Sequence, residues 1–443
     1  MLFNFIQIIS MKKYLFSALF AAMLPAAVQA APKNIIYMIG DGMGPSYLSA
    51  YRYFNDDKTT PAVENTIFDQ LWLGMATTYP DDDTYVTDSA AGATALATGF
   101  KSYNGAISVN RQHIPIGTMM QLAKKLGKAN GIVASSQINH ATPASFLAHN
   151  KSRRNYDEIA DMYLDYRING KPVADVMIGG GTKYFVRQDR NLVNEFRQLG
   201  YQYTDDYTQL DTITKAPAMM LLAETALPAK LNSGFDAMLA PLTEKALSLL
   251  TPAKKGFVLM VEGSQIDWCG HDNDIACAMA EMDDFAQAIA VAKAYVDKHP
   301  DTLLVITADH ETGGMSLGAA GEYLWLPEVV RKVKATGRKI AEQLKQADSD
   351  AAALALWAEL TSITLSDDEQ KTLLATLQQD EITLRKLSNQ LVAKYSYTGW
   401  TTGGHTAADV AVLAYGKDAK DFAGFQDNTD IAKKLLQYIQ QTK

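Results

Sequence analysis

Five short apolar runs punctuate the chain, and each has a potential ligand side chain at one end. Residues 35–39 lead into Asp41, and residues 132–134 run toward His140. Residues 257–261 stop at Glu262, and residues 303–307 stop at Asp309 and His310. The run at 410–414 follows just after His405. Helical patterns separate the runs. Unbroken apolar runs between helices read as strands buried on both faces, because helices cover both sides of a parallel sheet. The expected architecture is therefore α/β, with a central, mostly parallel sheet. In such sheets ligands bind beyond the carboxyl ends of strands, where these polar residues fall.

Residues 31–443 read as one large domain with an insertion. From about 321 to 399 the chain is rich in Ala, Leu, Lys, Glu and Gln, nearly lacks Gly and keeps helical spacing. Ser366 with Glu369 makes a capping box opening one of these helices. The glycines at 179–181 invite a phosphate-loop reading, but no Lys-Ser/Thr follows at the required spacing, so a strand-ending turn is expected.

The first 30 residues have a different character. Lys12 and Lys13 precede the apolar run LFSALFAAML, and PAAVQA supplies small residues for cleavage after Ala30. That is a secretory signal, and its apolar run is well short of the ~20 residues a membrane span needs. Met11 is an alternative start. Export to the periplasm or medium is expected, without a membrane anchor. No Cys follows the signal run, which argues against a lipid-anchored N-terminus. Removing residues 1–30 takes two of 41 basic residues and none of 49 acidic ones, so the net charge goes from −8 to −10. Such a balance argues against nucleic acid as a partner. The two cysteines, Cys269 and Cys277, do not make a disulfide scaffold. On one continuous helix they would lie ~12 Å apart, too far to bridge. Gly270 could break that helix, so pairing stays open.

Of seven histidines, His113, His149 and His299 sit in ordinary polar or helical contexts. The others keep acidic or glycine-rich company. VEGSQIDWCGH holds Glu262, Asp267 and His271, and TADHETGG sets Asp309 beside His310. TTGGHTAAD places His405 after two glycines, and MIGDGMG places Asp41 between two more. Mixed Asp and His ligands suit zinc. A lone strand-end Asp is more often a cap or turn residue, but four such segments together indicate a metal centre.

In TDSAAGATAL, residues 87–96, an Asp-Ser pair opens a stretch of small residues at a helix start. Capping explains either residue. Small neighbours also leave room beside Ser89, and the helix N-terminus offers N–H groups to an anion. A serine nucleophile needs a base or a metal to activate it. No G-x-S-x-G elbow or evident Ser-His-Asp set is present, and metal ligands are plentiful.

With these motifs in order, the mature chain resembles the alkaline phosphatases. The resemblance implies a three-layer sandwich and hydrolysis of phosphate monoesters through a phosphoserine, with two Zn²⁺ and one Mg²⁺ per chain. By it, VTDSAAGAT makes Ser89 the nucleophile, and Asp41 bridges one zinc and the third metal. Asp309 and His310 complete that zinc's ligands, and Asp267, His271 and His405 hold the second. Thr142 and Glu262 match the magnesium-type site, and Arg153 matches the phosphate-gripping arginine. His140 and Trp268 stand where the family varies: some members carry Asp at the first position, and Lys or His at the second. The family's homodimer is a candidate state here, although 321–399 is shorter and more helical than the interface-forming insertions of some relatives. A diesterase of the same superfamily and a non-catalytic zinc or phosphate binder are the rival readings. A sulfatase would need a C-x-P-x-R-type segment that the residues around Ser89 do not supply.

Overall fold

Ten strands form one sheet in the computed structural model, which describes residues 31–441. The signal expected at 1–30 lies outside the described residues. In chain order the strands are β1 (Asn34–Gly40), β2 (Trp72–Thr77), β3 (Ala129–Gln137), β4 (Val176–Gly180) and β5 (Gln202–Thr204). There follow β6 (Ala218–Leu221), β7 (Phe257–Gly263), β8 (Thr302–Thr307), β9 (Val410–Gly416) and β10 (Gly424–Asp427). Across the sheet the order is β10-β2-β9-β8-β1-β7-β3-β4-β6-β5. Every pairing is parallel except the two made by β9.

The central strands are buried along their whole length, as β1, β7 and β8 show. Helices must therefore cover both faces. Each Ile, Val or Leu so buried contributes about 1.5–3 kcal/mol. That packing fixes the strand ends from which the polar residues project.

The helices that matter for the site are α1 (Pro45–Asn55), α2 (Ser89–Thr98), α3 (Ala141–Leu147), α4 (Gln265–His271) and α5 (Ile275–Lys298). Between β8 and β9 lie α6 (Pro327–Val330), α7 (Gly337–Lys345), α8 (Asp350–Thr361), α9 (Asp367–Thr376) and α10 (Glu381–Ser396). The Ser366–Glu369 capping box is present at α9. Gly181 ends β4 with φ 119°, a turn rather than a phosphate loop. No helix among the described residues is long and apolar enough to cross a membrane.

Two findings go beyond the sequence. The run at 410–414 had no assigned direction, and β9 proves antiparallel. Its first residue therefore lies at the same sheet edge as the last residues of its neighbours. That explains why His405 precedes its strand while Asp41 and Asp309 follow theirs and Glu262 is the next-to-last residue of its own. The second finding concerns the cysteines, which form a disulfide with Cα atoms 5.4 Å apart. Gly270 is not the break. Asn273, left-handed at φ 53°, turns the chain between α4 and α5, and Asp274 caps α5 by accepting the Cys277 N–H at 3.0 Å.

Candidate active site

α2 begins at the mouth of the site, and its cap decides which side chain is free. Asp88 takes the capping role, accepting the Ala91 N–H at 2.9 Å. That leaves the Ser89 hydroxyl to point elsewhere, and it lies 3.1 Å from Nε2 of His310. A Cβ on Gly92 would stand 2.8 Å from the Asp309 carbonyl. The missing side chain lets α2 press against the Asp309 segment.

The Ser-His contact looks like a hydrolase dyad, but its geometry is different. Asp41 Oδ1 and Asp309 Oδ2 approach the same Nε2, at 3.3 and 3.4 Å. In a relay the carboxylate would hold the other ring nitrogen. Here Nδ1 faces the Thr312 hydroxyl at 3.3 Å, and that hydroxyl donates to Asp267 at 2.5 Å. Four ligand atoms crowding one point from different directions indicate a cation between them.

A second cluster repeats the pattern. Asp267 and His271 share a face of α4, and a Cβ on Gly403, in the turn before His405, would stand 3.3 Å from the His271 carbonyl. His271 Nδ1 donates to the Gly403 carbonyl and His405 Nδ1 to the Thr87 carbonyl, both at 2.8 Å. Those carbonyls fix the tautomers, so both Nε2 atoms present lone pairs. The two Nε2 atoms face each other at 3.1 Å, and each is 3.4 Å from an Asp267 oxygen. Opposed lone pairs repel unless a positive ion lies between them.

The third cluster lies deeper. A ring nitrogen of His140 and carboxylate oxygens of Asp41 and Glu262 lie within 4.8 Å of one another. Thr142, at the start of α3, is fully buried beside them. Asp41 Oδ1 and Oδ2, Asp309 Oδ2, Glu262 Oε1 and Thr142 Oγ1 are buried without a hydrogen-bond partner. Buried oxygens of this kind are costly to leave unpaired, and a hard cation would satisfy them.

The electrostatics agree. Burial pushes the Asp41 carboxyl well up, with Asp267 and Glu262 adding to it. Burial also raises Asp309, with Asp41 contributing, and lifts Glu262 to about 7. Asp267 goes the other way: burial would raise it, but the adjacent His271 and His405 imidazoles outweigh that and hold it well below the usual range. A pocket that pushes three acids toward neutrality is one that divalent ions would stabilise.

Arg153 reaches Asp88, the residue before Ser89. It donates from Nη1 to Asp88 at 3.1 Å and approaches His140 Nε2 from Nη2 at 3.4 Å. Burial opposes its charge, but Asp88 outweighs burial and keeps the pKa raised. Burial and the nearby Arg153 charge lower His140 to about 3, so its ring is neutral. The Trp268 ring lies edge-on to it with centroids 5.9 Å apart. All ten candidate residues named from the sequence thus converge. Sequence reasoning missed the second role of Asp88, which holds Arg153 as well as capping α2, and missed Thr312 between two clusters. For Asp88 the signal was its place beside Ser89. Thr312 gave none.

A family model described as alkaline phosphatase matches residues 32–441. The chain belongs to the alkaline phosphatase family. It is 46% identical over 411 residues to alkaline phosphatase 3 of Bacillus subtilis (strain 168), covering 92% of this chain and 89% of that protein. The crystal structure of a cold-active alkaline phosphatase from the psychrophile Shewanella sp. superposes with a TM-score of 0.87 at 48% identity, over 92% of this chain and 99% of that one. A histidine variant of alkaline phosphatase from the Antarctic bacterium TAB5, solved with Mg bound in its M3 site, matches with a TM-score of 0.69 at 29% identity, over 93% and 99% of the two chains. The protein is therefore a phosphatase, with clustered side chains suited to metal ions.

Proposed function

We propose that this alkaline phosphatase hydrolyses phosphate monoesters through a phosphoserine on Ser89, with two Zn²⁺ and one Mg²⁺ per chain. The observation that carries the reading is the convergence of partnerless buried ligand atoms on the Ser89 side of the sheet edge. Asp41, Asp309, His310 and the Ser89 hydroxyl would hold one zinc, and Asp267, His271 and His405 the other. Asp41, Thr142 and Glu262 offer only oxygen, the ligand type magnesium prefers. Arg153 donates only, so its contact makes His140 Nε2 an acceptor and leaves the proton on Nδ1. Nδ1–H has no protein partner and would serve a water on the magnesium.

When bound, these ions lower the serine's pKa and neutralise charge on the phosphoryl oxygens. The rest falls to the protein. Ser89 Oγ gives its proton to solvent and attacks phosphorus, and the ester oxygen departs on the opposite side, taking a proton from water to leave as the alcohol. Arg153, braced by Asp88, takes two phosphoryl oxygens with its planar fork, a geometry lysine lacks. Phosphoryl transfer depends mainly on such positioning and charge neutralisation. Water then cleaves the phosphoserine and releases inorganic phosphate. Export fits the disulfide, since such bonds persist in oxidising compartments.

Exhaustive chelation is expected to abolish turnover of phenyl phosphate, and added Zn²⁺ with Mg²⁺ to restore it. Turnover that survives metal-free conditions, verified by elemental analysis, would sink the proposal.

A further inference from the structure

α10, the last helix between β8 and β9, encloses with the His271 side of the site a cavity of about 550 Å³. His271, Gly403 and Trp400 line it on one side, and Arg385, Lys386 and Lys394 of α10 on the other. The imidazoles set the cavity's place relative to the nucleophile. Ser89 contacts His310, the His310 and His405 rings stack with centroids 3.6 Å apart, and His405 and His271 follow at 4.9 Å. The cavity lies at the far end of this row. An in-line displacement expels its leaving group opposite the attacking oxygen, so the departing alcohol faces α10.

The α10 wall is cationic. Arg385 approaches Asp272 at 3.2 Å, Arg338 approaches the other Asp272 oxygen at 3.5 Å, and Lys394 pairs with Glu369 at 2.6 Å. Lys386 is exposed and has no ion pair or hydrogen bond among the described residues. Four cations (Arg338, Arg385, Lys386, Lys394) against two acids (Asp272, Glu369) leave an excess of two positive charges, in a chain of net charge −8. Two buried donors lining the cavity, Arg385 Nε and Trp400 Nε1, have no partner.

We propose that this cavity is a leaving-group subsite selecting phosphate monoesters whose alcohol part carries a second anionic group, gripped by Lys386 and Arg385. The proposal rests on the monoesterase reading above. Nothing of the kind is needed for the phosphoryl group, which Arg153 and the ligand clusters serve.

The test compares kcat/KM for 4-carboxyphenyl phosphate with that for phenyl phosphate, as a ratio, in the metal-loaded enzyme and its variants. Following the ratio between variants cancels the intrinsic difference in phenol acidity. It is expected to fall about threefold in Lys386→Ala and about tenfold in Lys386→Glu, as loss and reversal of one nearby charge would give. In the unaltered enzyme it should also fall as salt rises from about 0.05 to 0.5 M, where screening shortens to a few ångströms. A ratio unmoved by both substitutions, or one insensitive to salt in the unaltered enzyme, overturns the subsite. Absence of phenyl phosphate turnover in the unaltered enzyme would instead overturn the monoesterase reading.

Discussion

Glu262 sits where strand burial and ion chemistry meet. It is the next-to-last residue of β7, between β1 and β3, fully buried, and the surroundings lift its carboxyl to about 7. A carboxylate in that position is expensive without a cation. On the proposed reading Asp41, Thr142 and Glu262 would hold the magnesium, and only Asp41 also reaches the cluster of His310 beside Ser89. Glu262→Gln keeps the shape and removes the charge. It should lose magnesium, keep both zincs and lower the rate only partly, as read by metal content alongside activity in the same preparation. Departure of zinc with the magnesium, or an unchanged rate, would contradict this division of roles. Ser89 shows the same economy at residue scale: Asp88 takes the cap and braces Arg153, which leaves the neighbouring hydroxyl out of the cap.

Among the elements, α5 carries the clearest titration away from the site. Glu281 faces inward from it, and its carboxylate accepts the Lys230 N–H at 2.7 Å. Burial, with Asp284 adding to it, pushes its pKa to about 8. A raised folded-state pKa means the neutral form is favoured in the native protein. The stability tied to it is complete below the unfolded pKa of about 4.3 and is lost as pH climbs to about 8. Glu281→Gln keeps the carbonyl that Lys230 needs and cannot ionise. Its stability advantage over the parent should widen between pH 5 and pH 9, on the order of a few kcal/mol. Paired thermal melts check this, and a constant difference across that range would contradict it. The elements also show where reading the sequence stopped. Apolar runs named the strands because burial on both faces leaves no polar positions. They could not show that β9 runs backward, since direction depends on the long helical connection before it. The turn that brings Cys269 to Cys277 was invisible for a similar reason: Asn273 looks like any polar residue until its left-handed backbone is seen.

At the scale of the whole molecule, the sheet collects distant residues at one edge. Asp41 and His405 are 364 positions apart in the sequence, yet both belong to neighbouring clusters that meet around Asp267. The ligand types were legible because Asp and His at strand ends and glycine turns have few other uses in combination. The braces were not. Thr312, the Thr87 carbonyl and the Gly403 carbonyl act through ordinary groups that only the fold brings near. The central claim is that this arrangement makes Ser89 the atom that receives phosphate. Rapid acid quench of the enzyme turning over a ³²P-labelled monoester, followed by peptide mapping, tests it most directly. The label should be found on Ser89, and Ser89→Ala should retain its metals, take up no label and lose several orders of magnitude in rate. Label on any other residue, or steady turnover with no trapped phosphate at any pH, would contradict the account.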